Sequence, residues 1–281
     1  MTVVWRELTP GMGAEITGLD LSQPASDETT VALNAALARH AVLVFRDQAM
    51  DPAQFTVAGE LFGPLMPQQL KQFVLKDHPL VGYNSTHDLP RKNGKLQVRG
   101  ENYHTDHSNE VSPPKATMLL AINLPSHGGD TQFVDVRQAF DDLPGDMRQR
   151  IQGLRSRHVH QSSRSPRSFA KLSEEALQAI PQTWQPLVIR HPDSGRPALY
   201  LNTGRMEGID GMADDAAHAL IEQLYQHATQ PRYEYRHVWR QGDMVIWDNR
   251  SVMHQANADY NPEELRYLYR LMVQGTPLNA A

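Results

Sequence analysis

His104 and Asp106 stand two residues apart, the spacing at which a β-strand turns both side chains to one side. A metal site begun by such a pair is incomplete until the fold delivers a third donor from elsewhere in the chain. The segment 243–250, leading to His254, reads as that source: a buried strand over 244–247 running into a polar turn that presents a histidine. In isolation His-x-Asp carries little weight, because 13 histidines and 32 acidic residues make chance pairs common, as His158-Val-His160 shows. The ordinary alternative for His104 is a surface or hydrogen-bonded histidine. What surrounds the pair decides its meaning.

Past His254 a Pro-containing turn leads into a segment that reads as a strand from Leu265 onward. Positions 266, 268, 270 and 272 then share one face, so Arg266 and Arg270 sit with Leu268 and Met272. Charge on an otherwise apolar face is costly unless it is paired. A guanidinium there wants a carboxylate, and its planar fork can bind one at two points. An internal ion pair, or an edge strand with this face in water, accounts equally well for either arginine alone. Two facing the same way beside a metal-ligand candidate favour anion binding. Two imidazoles and one carboxylate on one face of a metal, with the other face open, are the donor set of non-heme Fe(II) oxygenases.

Taken in order, His104-Thr-Asp106, Gly128-Gly-Asp-Thr131, Trp247-Asp-Asn-Arg250, His254 and Arg266-x-x-x-Arg270 resemble the taurine and 2,4-dichlorophenoxyacetate dioxygenases, which are Fe(II)- and 2-oxoglutarate-dependent. The segment 11–21, Val42-Leu-Val-Phe-Arg46, Leu61-Phe-Gly-Pro64 and His191-Pro-Asp-Ser-Gly-Arg196 extend the resemblance over nearly the whole chain. It implies His104, Asp106 and His254 as iron ligands, with 2-oxoglutarate chelating the metal beside them. It further implies that Arg266 and the Thr131 hydroxyl hold the far carboxylate of 2-oxoglutarate, and that Arg270 grips the anionic group of the main substrate. The implied reaction consumes O2, releases succinate and CO2, and hydroxylates a small carboxylate, sulfonate or sulfate. Because Asp106 is present where related halogenases carry a small residue, oxygen transfer is implied over halogenation. Two departures stand out: Tyr103 occupies the place of a tryptophan often found before the first ligand, and residues 64–100 have no close counterpart in the family pattern.

Composition is compatible with this. A chain of 281 residues, 40% hydrophobic, can bury a sizeable core as one domain spanning 1–281. A net charge of -5 argues against a general nucleic-acid surface. The lack of cysteine removes disulfides, thiolate catalysis and Cys-type zinc sites together. No signal-peptide pattern opens the chain, and no apolar stretch approaches the roughly 20 residues of a membrane span, so a cytoplasmic protein without a membrane partner is the default. Helices are predicted over 26–41, from Asp51-Pro52 to before Gly63, and over 213–229. Strand candidates at 42–45, 117–122, 132–134, 187–190, 198–202, 233–239 and 244–247 lie around and between them, with Asp193-Ser-Gly195 as a hairpin turn. Many short strands with a few outer helices suit a mainly β sandwich or barrel. The resemblance sharpens this to a double-stranded β-helix, a jelly roll of the clavaminate synthase type whose mouth holds the iron.

Residues 64–100 are too irregular for a core and too long for an ordinary connector, and such loops are commonly lids or binding segments. A lid over about residues 64–103 is predicted, with Tyr83, Asn84 and His87 as substrate contacts and Asn102, Tyr103 and Asn202 as further lining. The basic stretch 91–99 reads as a solvated loop, and 160–179, carrying Arg164, Arg167 and Lys171, reads equally as a mobile loop or a recruiter of acids. Two other function classes stay open: a zinc hydrolase or isomerase on the same barrel, and a non-catalytic binding protein that kept the fold. Arg266 and Thr131 speak against the first, since neither reaction needs a cosubstrate anchor. The intact ligand set speaks against the second. Fold and site do not choose the substrate, and an apolar helix face leaves a homo-oligomer open.

Overall fold

The computed structural model describes residues 4–92, 95–163, 165, 173, 175 and 180–281; Arg164, Arg167 and Lys171 lie outside them. Eight strands form one large sheet. In spatial order they are β1 (Val4–Thr9), β2 (Met12–Thr17), β3 (Val42–Phe45), β16 (Met244–Asp248), β8 (Ala116–Asn123), β18 (Tyr267–Val273), β5 (His78–Ser85) and β4 (Val74–Leu75). All neighbours are antiparallel except β2 and β3. A smaller sheet runs β15 (Glu234–His237), β9 (Thr131–Asp135), β17 (Val252–Ala256). The remaining strands are the hairpin β6 (Arg91–Lys92) and β7 (Lys95–Leu96); β10 (Arg155–His158), flanked by β11 (Thr183–Pro186) and β14 (Met206–Ile209); and the hairpin β12 (Val188–Arg190) and β13 (Pro197–Leu199). The helices are α1 (Asp27–His40), α2 (Pro52–Glu60), α3 (Val136–Asp141), α4 (Gly145–Ile151) and α5 (Asp214–Ala228).

The apolar pattern explains this layering. In β16 every residue is buried because both faces are covered. Val245 and Trp247 point inward, where they meet Phe133 of β9, Tyr235 of β15 and Val252 of β17, so the two sheets pack face to face. Met244 and Ile246 point outward into a second cluster with Leu33 and Leu37 of α1 and Phe55 and Ala58 of α2. Each such side chain contributes about 1.5–3 kcal/mol by leaving water. A third cluster packs α3 and α5 against β12, β13 and β14. The result is the jelly roll expected, two sheets with helices outside.

The helix ends are where their sequence signals put them. Ser26 accepts from the Thr29 N–H at the start of α1, which closes on Ala41 in the left-handed region. Asp51 and Gln54 form a reciprocal capping box on α2 with Pro52 at its first position. The last carbonyls of α1 receive the fully buried guanidinium of Arg137, which also pairs with Asp135. Cation and carbonyl ends attract there, as at any helix C-terminus.

Three sequence expectations are corrected. Residues 64–100 are not irregular throughout, for they supply β5, an eight-residue strand hydrogen-bonded along β18. Pro79, Gly82 and the polar Asn84 conceal its period, and β18 provides the pairing that its own composition does not advertise. Basic residues Arg91, Lys92 and Lys95 belong to a small hairpin and not to an open loop. Finally, His254 lies inside β17, not in the turn after β16, so it is presented by the smaller sheet.

Candidate active site

The two histidines are joined through the backbone. His104 N–H donates to the His254 carbonyl at 3.0 Å, and His254 N–H returns the bond at 2.8 Å. Their ring centroids stand 4.3 Å apart. Alternation then places Asp106 on the same side as His104, with Asp106 Oδ1 3.8 Å from His104 Nε2 and Oδ2 3.9 Å from His254 Nε2. These three donors lie within 4.8 Å of one another and could hold one metal ion.

Neighbouring groups hold the donors in place. His104 Nδ1 lies 2.8 Å from the Asn102 carbonyl, so it carries the proton and leaves Nε2 as the free donor. The Thr117 hydroxyl donates to Asp106 Oδ2 at 2.6 Å and in turn accepts from Asn249 Nδ2, while Asn249 Oδ1 takes the Trp247 indole N–H. His254 packs on Trp247 and Phe133, and its Nδ1 is buried with no partner among the described residues. Burial lowers the pKa of both imidazoles, His254 to about 3, so each is neutral at pH 7. Burial alone would raise Asp106, but Arg270 and the histidines outweigh it and hold its carboxyl well below the usual range. Two neutral imidazoles and one ionised carboxylate suit Fe(II).

Arg266 stands immediately before β18, with its backbone N–H on the Thr86 hydroxyl and its side chain against Gly129. Its Nε donates to the Gly129 carbonyl at 3.0 Å, and its guanidinium makes no ion pair among the described residues. Burial pushes its pKa down to about 10, which leaves it charged. Gly129 has φ +73°, and a Cβ there would stand 2.9 Å from Arg266 Cδ, so only glycine lets the arginine lie this close. Thr131, at the start of β9, accepts from Trp239 Nε1 at 3.0 Å and keeps its hydroxyl hydrogen for a further acceptor. Arg270 pairs with Asp106, Nη2 standing 2.9 Å from Oδ2, and donates to Gln68 Oε1 at 3.0 Å.

The other expected contacts divide. Asn84 lies opposite Leu268, on the face of β5 that looks toward the site, whereas Tyr83 lies opposite Tyr269 on the outer face. There Tyr83 packs on Phe73 and Tyr267, so it does not line the site. Tyr103 is also directed away, because residues 103 and 104 alternate; it is buried in the α3–α5 cluster and its hydroxyl donates to Glu234. Asn102 contributes its carbonyl. Asn202 is buried and donates to the Thr105 carbonyl at 2.7 Å, bracing the ligand strand from behind. His87 is exposed in a short turn after β5. Gln68, Thr117 and Arg205 escaped the sequence reading, since none belongs to a motif; for Thr117 the inward phase of β8 was a usable signal. A second group, His191, Asp193 and Asp248, also has metal-like spacing. Arg250 already pairs with both carboxylates and His191 Nε2 bonds Asp248, so that group is an internal ion network.

Over residues 5–272 the sequence matches the family described as "Taurine catabolism dioxygenase TauD, TfdA family". The chain belongs to the TauD/TfdA dioxygenases. It is 32% identical over 285 residues to an alpha-ketoglutarate-dependent 2,4-dichlorophenoxyacetate dioxygenase of Burkholderia sp. (strain RASC), covering 98% of this chain and 95% of that one. It is 29% identical to an alkylsulfatase of Acinetobacter baylyi, covering 96% and 84%. The crystal structure of AAD-2 in complex with Mn(II) and N-oxalylglycine superposes with a TM-score of 0.86 at 28% identity and full coverage of both chains. This TauD/TfdA protein is a 2-oxoglutarate-dependent dioxygenase that uses Fe(II) and O2. Neither the hydrolase or isomerase reading nor that of a non-catalytic binding protein is favoured.

Proposed function

We propose that this dioxygenase hydroxylates a small organic anion, with His104, Asp106 and His254 as the iron ligands. The observation that carries the reading is Arg266, a buried guanidinium that makes no ion pair among the described residues and lies against Gly129, two residues before Thr131. Such a cation is costly to bury unless a carboxylate joins it. Arg266 and the Thr131 hydroxyl would hold the distal carboxylate of 2-oxoglutarate. When bound, iron and cosubstrate supply the oxidising chemistry, with succinate and CO2 released.

The chain's own residues bind and orient. Arg270 has five N–H donors and gives one to Gln68 while its charge pairs with Asp106, which leaves others for a carboxylate, sulfonate or sulfate. Gln68 comes from residues 64–103, the segment read as a lid, so that segment would also steady the substrate anchor. A positioning error of about 1 Å at the target carbon costs roughly 100-fold in rate. The relatives that act on 2,4-dichlorophenoxyacetate and on alkyl sulfates support an anionic substrate.

The test is anaerobic absorption of the protein with Fe(II) and 2-oxoglutarate, then with a panel of sulfonates, sulfates and carboxylates. A weak visible charge-transfer band that shifts with one compound is expected. Iron bound without any such band would remove 2-oxoglutarate from the assignment.

A further inference from the structure

Most of the buried or largely buried arginines are matched by a carboxylate. Arg137 has Asp135, Arg250 has Asp248 and Asp193, Arg46 has Glu15 and Asp243, and Arg270 has Asp106. Two make no ion pair among the described residues, Arg266 and Arg205. The first is explained by the cosubstrate. The second belongs to no motif.

Arg205 closes a tight turn in which its N–H donates to the Asn202 carbonyl at 2.9 Å. Asn202 is itself fastened to the Thr105 carbonyl at 2.7 Å, between His104 and Asp106, so the turn is held against the ligand segment. From there the Arg205 charge acts on His104 and Asp106, and on His107 and His158 behind them. Among the described residues its side chain makes one hydrogen bond, from Nη1 to the His160 carbonyl at 3.0 Å, which occupies one of five donors. Burial disfavours its charged form. A largely buried guanidinium with one neutral acceptor has the donors, and the unmet electrostatic demand, of an anion site.

We propose that Arg205 is a second substrate anchor, so that the substrate carries two anionic groups, one held by Arg270 and one by Arg205. The proposal rests on the 2-oxoglutarate dioxygenase reading, and it narrows the substrate class from an organic anion to a dianion. The two arginines approach the ligand cluster from different elements, β18 and the turn before β14. A dianion spanning them is pinned at both ends, with its intervening carbons across the candidate metal donors. A monoanion leaves one guanidinium unmatched and a far end free to swing.

The test uses the full chain loaded with Fe(II) and saturating 2-oxoglutarate under argon, so that Arg266 is already occupied. Sulfoacetate, 3-sulfopropionate and 4-sulfobutyrate are titrated calorimetrically against the alkanesulfonates of equal chain length. At least one sulfocarboxylate should bind wild type about tenfold or more tightly than its monoanionic match, the scale of one charge-assisted contact. Arg205→Met should abolish that preference while keeping the 2-oxoglutarate charge-transfer band, and Arg205→Lys should retain most of it. The persisting band and the lysine variant separate loss of an anchor from loss of fold. Equal binding of dianions and monoanions by wild type, or a preference that survives Arg205→Met, overturns the proposal. Absence of the band in wild type would instead overturn the dioxygenase reading, and the proposal with it.

Discussion

His104 and His254, 150 residues apart in sequence, exchange backbone hydrogen bonds in both directions, so their side chains emerge side by side. The distance between two candidate metal donors is thus set by main chain and not by rotamers alone. Alanine at either position removes a donor but leaves the N–H and C=O that join the segments. We expect His104→Ala and His254→Ala to lose iron-dependent succinate formation while circular dichroism and melting temperature stay near wild type. Turnover retained at wild-type level by either would remove it from the ligand set.

Arg266→Met should raise the KM for 2-oxoglutarate by about 10- to 100-fold, the equivalent of roughly 1.5–3 kcal/mol for hydrogen bonds to a charged group. Thr131→Val removes one neutral donor and should raise it by a smaller factor, about 2- to 10-fold. The measurement is initial rate against 2-oxoglutarate concentration. An unchanged KM in Arg266→Met would separate this arginine from the cosubstrate.

Thr117 touches no substrate in this arrangement, yet it donates to Asp106 Oδ2 at 2.6 Å. Replacement by valine keeps the shape and deletes the donor. Loss of a partner that orients a metal ligand weakens metal affinity about 10- to 100-fold. Chelator competition on Thr117→Val should show that drop, with the KM for 2-oxoglutarate at saturating metal little altered.

His158 is fully buried behind the site, its Nδ1 on the Ser108 hydroxyl, and burial with the Arg205 charge pushes its pKa from the ordinary 6.5 down to about 3. Between those values the unfolded chain binds a proton that the folded chain does not. Its contribution to stability is therefore complete above pH 6.5 and is lost as pH falls toward 3. Urea unfolding of the metal-free protein at pH 7, 6 and 5 should show falling stability. His158→Gln should flatten that slope by up to about 1.4 kcal/mol per pH unit. Identical slopes would mean that His158 is not held neutral.

Much of this was legible in sequence where one rule acted alone. The caps of α1 and α2 and the buried run of β16 are local signals, and the two-residue period put Arg270 on the face of β18 that carries Leu268, while Arg266 falls just before the strand begins. The same period, applied one residue earlier, turns Tyr103 away from His104 and Asp106 and into the α3–α5 cluster. Tyr83 and Asn84 could not be sorted without β5, because a strand interrupted by Pro79 and Gly82 is specified by its partner more than by itself. Arg205 and Gln68 were hidden for a different reason. Their meaning lies in what they fail to pair with, or in what they steady, and pairing is a property of three dimensions.

In the large sheet β18 lies between β8 and β5, although it is the last of the strands along the chain. The strand that carries Arg270, and that Arg266 leads into, is therefore also the wedge that joins the two parts of that sheet. A nascent chain emerging from a ribosome holds His104 and Asp106 long before it has His254, and the anion anchors arrive later still. The oxidising centre has nothing to grip until its scaffold is closed. Long-range pairing of this kind is slow to form, so the closing of β18 between β8 and β5 is expected to come late, after the segments of both histidines have been made.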